Sequence, residues 1–279
     1  MDARSQSGDT PLHGIADSYA CPVCRRPLRE SDGSLRCGTC AESFPIVDGI
    51  PDFLREELAQ SRDPVLRRMR FIDRMAGIYE TSLWYPLVLN VYGGLHSPSL
   101  SQLIRTIATA VQPVRGRVLD VACGPGTYGR RVASQSREVF GIDVSMGMLR
   151  QGVAYSASER RPNVHFARAR VEALPFASRF FEAAICCGSL HLFADTTVAL
   201  REIGRVMKPA ATLAVFTFGA GDGGILKHPR VRRWGAAKHG LHVFDVSEMG
   251  RFLAASGFEG FEAELSGSIF TFTARRIRS

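Results

Sequence analysis

From residue 116 onward, short apolar runs alternate with stretches in which apolar residues recur at helical spacing. The runs have the length of strands, so the alternation predicts a parallel sheet flanked by helices. The predicted strands cover 118–122, 139–142, 164–166, 181–187, 212–218, 259–265 and 269–273. The predicted helices begin at Thr127 and Ser145 and also cover 195–207 and 246–255.

The stretch 62–111 has apolar residues at helical spacing and Arg on the opposite face. It predicts two or three helices, because Gly, Ser and Pro residues interrupt it between positions 93 and 98. Ser97 and Ser99 are candidate N-caps of the last helix, which is expected to run to Val111. The apolar positions in its first part are Leu66, Met69, Ile72, Met75, Ile78 and Tyr79.

Four of the seven Cys residues form two Cys-x2-Cys pairs, Cys21 with Cys24 and Cys37 with Cys40. In a reducing compartment this spacing indicates metal ligands rather than disulfides. Four thiolates complete the tetrahedral shell of Zn²⁺, so we expect a structural zinc ion without an open catalytic position. A segment this short has too little core to fold without such a metal.

These patterns divide the chain into four parts. Residues 1–20 are expected to be a flexible tail and 21–58 a zinc-ribbon module. Residues 59–112 would form a helical lid or linker, and 113–279 the sheet domain. Within that domain, the polar, basic insertion 219–242 is expected to act as a further lid segment.

Charge is unevenly distributed along the chain, whose net charge is +8. Residues 1–60 carry six Arg against ten Asp and Glu, a net of −4, and the remaining 219 residues carry a net of +12. No apolar run approaches the roughly 18 residues of a spanning helix, and the polar start of the chain does not resemble a signal peptide. We therefore expect a cytoplasmic protein with no membrane partner.

The stretch 118–132, VLDVACGPGTYGRRV, joins an apolar strand that ends in an acid to a helix through closely spaced glycines. Glycine lets a ligand approach the backbone, and the helix start offers N–H groups, so the turn is a candidate ligand site. It contains no GxxxxGK[ST] phosphate loop, but its glycines, Gly124, Gly126 and Gly129, have the GxGxxG spacing that dinucleotide sites also use. Asp120 would repel a diphosphate and favours a ligand with positive charge or N–H donors.

Together with FGIDVS at 140–145, this turn resembles class I S-adenosylmethionine-dependent methyltransferases of the UbiE type. The similarity extends to ARVEALPF, FEAAICCGSLHLF and LREIGRVMKPAATLAVFTF and covers roughly 110–275. It implies a Rossmann-like α/β fold with a seven-stranded, mainly parallel sheet whose last strand is antiparallel. The segment after the Cys pairs, FPIVDGIPDFL, resembles zinc ribbons attached to some methyltransferases.

The resemblance implies roles for individual residues. Those expected at the methionine end of the cofactor are Asp120, Ala122, Gly124 and Gly126. Asp143 would accept hydrogen bonds from the ribose hydroxyls, although a helix N-cap beside Ser145 is an alternative. The residues expected around adenine are Val144, Met148, Val171 and Glu172.

Three further positions are candidates or departures. Tyr79 resembles a cofactor-lid Tyr, with core packing as the alternative. Cys187 is included as a cofactor contact, although Cys186 and Cys187 end a strand and are readily explained by packing. Arg170 stands where relatives often place an acid facing the adenine amine, and Arg cannot accept that bond.

His191, just after the fourth strand of the sheet domain, is the candidate general base, because relatives place substrate-facing residues there and His accepts protons near neutral pH. A packed or solvent-facing His is the alternative. A base is needed only if the acceptor must lose a proton, since methyl transfer mainly requires alignment.

Three functions follow as hypotheses. The first is methyl transfer from S-adenosylmethionine to oxygen, nitrogen or carbon of a small molecule, with secondary metabolism as one setting. The second is methylation of ribosomal or transfer RNA, which the basic stretches 62–74 and 227–242 favour. The acidic Cys module and the lack of an NPPY-like stretch oppose it, because RNA binding requires positive surface. The third is a non-catalytic, cofactor-binding partner module.

Overall fold

The computed structural model describes residues 14–54, 84–95, 97–112, 116–133 and 137–278. The Cys module forms a small antiparallel sheet of four strands in sequence order. These are β1 (Leu28–Ser31), β2 (Ser34–Cys37), β3 (Ser43–Val47) and β4 (Ile50–Pro51). Asp32 and Gly33 join β1 to β2 with φ of 50° and 67°, which is the conformation that a tight two-residue hairpin requires.

Among the described residues, two α-helices precede the large sheet. Helix α1 (Trp84–Val88) continues into a π-helical turn, Leu89–Gly93, and α2 spans Leu100–Ala110. Ser99 caps α2, since its side chain accepts from Gln102 N and the Gln102 side chain accepts from Ser99 N, which confirms one of the two predicted caps. The remaining helical positions predicted from 62 to 79, including Tyr79, lie outside the described residues.

The large sheet has seven strands in the order β10-β11-β9-β8-β5-β6-β7. Neighbours from β9 through β7 are parallel, and β11 is antiparallel to both β9 and β10. This confirms the predicted α/β fold. The strands are β5 (Gly116–Val121), β6 (Arg137–Asp143), β7 (Val164–Arg168), β8 (Phe181–Cys187), β9 (Met207–Phe218), β10 (Phe258–Ser266) and β11 (Ile269–Arg276). The helices are α3 (Thr127–Val132), α4 (Met146–Ser158), α5 (Thr196–Val206), α6 (Pro229–His239) and α7 (Val246–Ala255).

The strand order reverses between β5 and β8. From β5 the chain moves outward to β6 and β7, and then returns to place β8 on the other side of β5. The loops after β5 and β8 therefore diverge and leave a crevice at the carboxyl ends of the parallel strands. Ligands of open α/β sheets bind in this position.

The Cys module is attached to the free edge of β7. Asp52 forms a parallel bridge with Arg168, and Phe53 N donates to Arg168 O at 2.8 Å. Ala20 N likewise donates to Pro175 O at 2.9 Å. The module thus covers an otherwise exposed sheet edge, which would be a site for unwanted strand pairing.

Aromatic side chains join the module to the sheet domain. Tyr19 is 1% exposed, stacks on Phe176 at 5.4 Å between ring centroids and also contacts Phe140 and Phe53. The expectation of a flexible tail up to residue 20 is therefore wrong at its end, because Tyr19 and Ala20 are part of the core. The polar residues at the start of the chain concealed this contact from sequence reasoning.

Gly129 in α3 is required where the helix meets β5. Its N–H donates to Asp120 Oδ2 at 2.9 Å, and a Cβ placed on it would lie 2.6 Å from the same oxygen. We expect Gly129→Ala to lower the free energy of unfolding by about 1–3 kcal/mol through overpacking. Urea unfolding measures the change. Gly250→Ala in α7 is the control: its Cβ would lie 3.4 Å from Phe261, and we expect a gain of up to about 1 kcal/mol from helix propensity. Equal effects would contradict this account.

Candidate functional site

A cleft opens at the carboxyl ends of β5, β6, β7 and β8, where the strand order reverses. Of the predicted cofactor residues, the structure brings five together in its lining: Ala122, Asp143, Val144, Val171 and Glu172. Its other lining residues are Ile142, Ala169, Arg170, Ser189, Leu192, Phe193 and Ala194. The cleft is thus mainly apolar with a few convergent polar groups, as small-molecule sites are.

Asp143 fixes the glycine turn to the end of β6. Its Oδ2 accepts from Gly124 N at 2.8 Å and its Oδ1 accepts from Ser145 N at 2.9 Å. The N-cap of α4 is Ser145, whose Oγ accepts from Met148 N, so the alternative role of Asp143 as the cap is wrong. A carboxylate has about four lone-pair sites, and these two N–H groups orient it towards the cleft.

The turn after β5 is held in left-handed backbone conformations. Ala122, Gly124 and Gly126 have φ of 51°, 56° and 75°. Ala122 is unusual, because a residue with a Cβ rarely adopts this region and its strain must be held by its surroundings. The hydrogen bond from Ser189 Oγ to Ala122 O, at 3.1 Å, ties this strained peptide to the turn after β8.

Five other predicted cofactor residues do not line the cleft: Asp120, Gly124, Gly126, Met148 and Cys187. Gly126 is the N-cap of α3, and a Cβ there would lie 2.9 Å from the Phe166 ring, so it allows close packing of helix on sheet. Met148 is buried in α4, and Cys187 packs with the apolar core, where burial raises the pKa of its thiol. Gly124 contributes through its N–H to Asp143.

Asp120 lies beneath the turn and is 2% exposed. Burial raises the pKa of its carboxyl to about 7, although the N–H of Gly129 acts in the opposite direction. The Asp120 carboxylate thus holds α3 against β5 through its hydrogen bond from Gly129 N. Its predicted contact with the methionine end of a cofactor stays a prediction.

Two arginines, one at the end of β7 and one just after it, form polar contacts on this side of the cleft. Arg170 lines the cleft, and its Nε lies 3.3 Å from Glu172 Oε2. The Arg that stands where relatives often have an acid is therefore paired with a neighbouring acid. Arg168 Nε donates to Val144 O at 2.9 Å, and its Nη1 pairs with Asp52 at 3.0 Å. The peptide that follows Asp143 is therefore connected through Arg168 to the Cys module.

His191 lies in a short 3-10 turn, Leu190–Leu192, and is 5% exposed. Its Nδ1 is 3.2 Å from Thr217 Oγ1, and its ring meets Phe218 edge-on at 4.9 Å. It does not line the cleft, so the packing alternative accounts for its described contacts. Its role as a base stays a prediction, and Tyr79 lies outside the described residues.

Sequence reasoning missed part of the lining. Leu192, Phe193 and Ala194 follow β8, and Ala169 follows β7. Their apolar side chains have no chemical signature. The available signal was position, since each comes just after a parallel strand, where the crevice must lie.

The four Cys of the module form a second site, away from the cleft lining. Their Sγ atoms all lie within 4.8 Å of one another, with Cys21 and Cys40 at 3.5 Å and Cys24 and Cys37 at 3.4 Å. About 3.8 Å separates sulfurs around a tetrahedral zinc ion with Zn–S bonds near 2.3 Å, so the cluster fits a metal. This brings together all four predicted ligands.

Two protein families match parts of the chain. Residues 118–210 match the methyltransferase domain family, and residues 20–49 match the Trm112p-like protein family. The boundaries agree with the structure, because the first match starts in β5 and the second covers the Cys cluster.

Curated relatives are similar over part of the chain. A demethylmenaquinone methyltransferase of Renibacterium salmoninarum is 38% identical over 115 residues, which are 41% of this chain and 46% of that protein. A malonyl-[acyl-carrier protein] O-methyltransferase of Pseudescherichia vulneris is 33% identical over 105 residues, 38% of this chain and 40% of that one. The chain thus spans less than half the length of each.

Solved structures confirm the fold. The YcgJ protein of Bacillus subtilis superposes with a TM-score of 0.54 at 15% identity, covering 64% of this chain and all of that one. Phosphoethanolamine N-methyltransferase 2 of Haemonchus contortus was solved with S-adenosylhomocysteine and phosphomonomethylethanolamine. It superposes with a TM-score of 0.62 at 16% identity, and the match covers 80% of this chain and 62% of that one.

Proposed function

From the match of residues 118–210 to the methyltransferase domain family, we propose that this protein transfers a methyl group from S-adenosylmethionine to a small molecule. The observation that supports the proposal most directly is the position of the Asp143 carboxylate. Its carboxylate is held by two backbone N–H groups at the end of β6, beside an apolar slot at the reversal of the strand order. An acid beside an apolar slot suits a nucleoside, whose ribose is polar and whose base is flat and apolar.

Each part of the cleft then has a role towards the cofactor. Asp143 would accept hydrogen bonds from the ribose hydroxyls, and Val144 and Val171 would contact the faces of adenine. The paired Arg170 and Glu172 would border the adenine edge, and the strained turn at Ala122 would support the methionine end. When bound, S-adenosylmethionine supplies a methyl group on a positively charged sulfur.

The chain itself contributes alignment and exclusion of water. The acceptor atom must approach the methyl group in line with the sulfur, so catalysis depends on holding both partners in that geometry. The chain would hold the acceptor in that position, and any proton that the acceptor loses would pass to solvent or to a base such as His191. We place the acceptor entrance beside the insertion that follows β9.

A structural zinc ion in the Cys cluster is part of the proposal. Four thiolates fill a tetrahedral shell and leave no position for substrate or activated water, so the metal would hold the module rather than take part in the reaction. The cytoplasmic location expected from the sequence stays a prediction. Among the described residues, no helix is both long and apolar enough to cross a bilayer.

Methyl-labelled S-adenosylmethionine, added with purified protein to an extract of the source cells, tests the proposal. Label in organic-soluble or small polar compounds that ribonuclease leaves unchanged is the expected result. Label in acid-precipitable, ribonuclease-sensitive material would instead establish the RNA hypothesis, which the basic sheet domain favours. Absence of transfer by a protein that binds the cofactor would leave the non-catalytic hypothesis.

A further inference from the structure

The insertion after β9 is strongly basic. Residues 219–242 contain five Lys and Arg and three His against a single acid, Asp222. The insertion is also structured: a 3-10 turn, Ile225–Lys227, leads into the 11-residue helix α6. A net positive segment of this kind attracts an anionic partner.

Helix α6 presents one continuous face to solvent. Arg230, Arg233, Trp234, Ala237 and Lys238 recur at helical spacing on this face, and all are exposed. Trp234 is 57% exposed, and the Lys238 ammonium lies 5.4 Å from its ring centroid. The opposite side holds the helix in place, since Gly235 is buried against Leu241 and Arg232 Nη1 donates to Leu226 O at 2.9 Å.

Exposed aliphatic side chains lie on the segments that meet at the start of the insertion. The backbone of the π-helical turn packs directly on the start of the insertion, since a Cβ on Gly224 would lie 2.5 Å from Val91 O and Tyr92 O. Ile225 comes just after Gly224 in the insertion, and Leu95 comes just after the π-helical turn. The side chains of Ile225 and Leu95 are 39% and 88% exposed, respectively. Leu87 on α1 is 60% exposed. Single exposed apolar residues are ordinary, but these lie on or beside the contact from which the chain leads into a cationic helix with an exposed Trp.

We propose that this basic-apolar surface, formed by the exposed face of α6 together with Leu87, Leu95 and Ile225, docks onto an anionic lipid bilayer. Lys and Arg near an anionic surface each contribute about 1 kcal/mol, and Trp prefers the boundary between headgroups and acyl chains. Nucleic acid would match the charge, but it buries exposed Leu and Ile side chains only where base steps are unstacked, whereas a bilayer accepts them directly. The sequence-based expectation of no membrane partner rested on the lack of a spanning segment, which surface docking does not need.

Vesicle sedimentation with the full chain tests the proposal, independently of methyl transfer. We expect binding to vesicles of phosphatidylcholine and phosphatidylserine in a two-to-one ratio, weak binding to phosphatidylcholine alone, and loss of binding at high salt. The double variant Arg230→Ala/Arg233→Ala is expected to bind about tenfold more weakly or worse. Arg105→Ala/Arg131→Ala removes two exposed Arg from α2 and α3 and serves as the charge-matched control, with little change expected.

Fluorescence separates insertion from simple charge attraction. The chain has two Trp, so Trp84→Phe leaves Trp234 as the sole reporter, and its emission should shift to shorter wavelength with the mixed vesicles. An unshifted emission, or equal loss of binding in the two double variants, would overturn the proposal. So would binding to an oligoribonucleotide that Arg230→Ala/Arg233→Ala abolishes, together with no binding to either vesicle.

Discussion

Asp143→Ala is expected to lower the affinity for S-adenosylhomocysteine at least about 100-fold. The variant removes the carboxylate that we place against the two ribose hydroxyls, and hydrogen bonds to a charged group contribute about 1.5–3 kcal/mol each. It also removes the acceptor that fixes Gly124 N, so the turn becomes less ordered. Calorimetric titration of the folded variant measures the change.

Two further variants separate recognition from folding. Asp143→Asn keeps the shape and one oxygen acceptor, and we expect a loss nearer tenfold. Glu138→Ala, on the same strand at its amino end, removes an exposed acid that pairs with Arg117 at 3.6 Å and should leave affinity unchanged. Unchanged affinity in folded Asp143→Ala would exclude this acid from the site.

Cys37→Ser is expected to release the metal and to lower the melting temperature of the whole chain by about 10 °C. Without its metal the module should unfold. The core would then lose Tyr19 and Phe53, and burial of one such side chain contributes about 1.5–3 kcal/mol. In a domain of this size each kcal/mol corresponds to about 2–4 °C.

The same variant should weaken the cofactor site. Unfolding of the module removes Asp52 from Arg168, which holds the carbonyl of Val144 next to Asp143. We expect the dissociation constant for S-adenosylhomocysteine to rise about fivefold or more, at the lower end of typical couplings between sites. Metal analysis, thermal unfolding and titration are the three measurements. Thr39→Ser, exposed in the same knuckle, is the matched control and should change none of them. A metal-free protein with wild-type melting would show that the module is independent of the sheet domain.

The sheet could be predicted because buried parallel strands are short apolar runs, and each predicted strand lies within or overlaps an observed one. The polar wall of the cleft could also be predicted, because Asp143 comes directly after the second strand of the sheet domain. An acid in that position lies at the crevice, where it can accept hydrogen bonds from a ligand. Leu192 and Phe193 could not, since apolar residues in a turn resemble packing residues until the fold places them at the crevice.

The attachment of the Cys module was beyond sequence reasoning for a different reason. It depends on the backbone N–H groups of Phe53 and Ala20, which donate to Arg168 O and Pro175 O. Every residue other than proline has such a donor, so the contact leaves no trace in residue type. For the same reason, the strained φ of Ala122 became visible only in the structure.

The central claim is that the cleft around Asp143 binds the methyl-donor cofactor, and calorimetric titration of the unmodified protein with S-adenosylhomocysteine tests it most directly. The account predicts one binding site per chain and a melting temperature that rises with ligand concentration, as preferential binding to the folded state requires. No heat of binding and no shift in melting temperature at saturating ligand would contradict it.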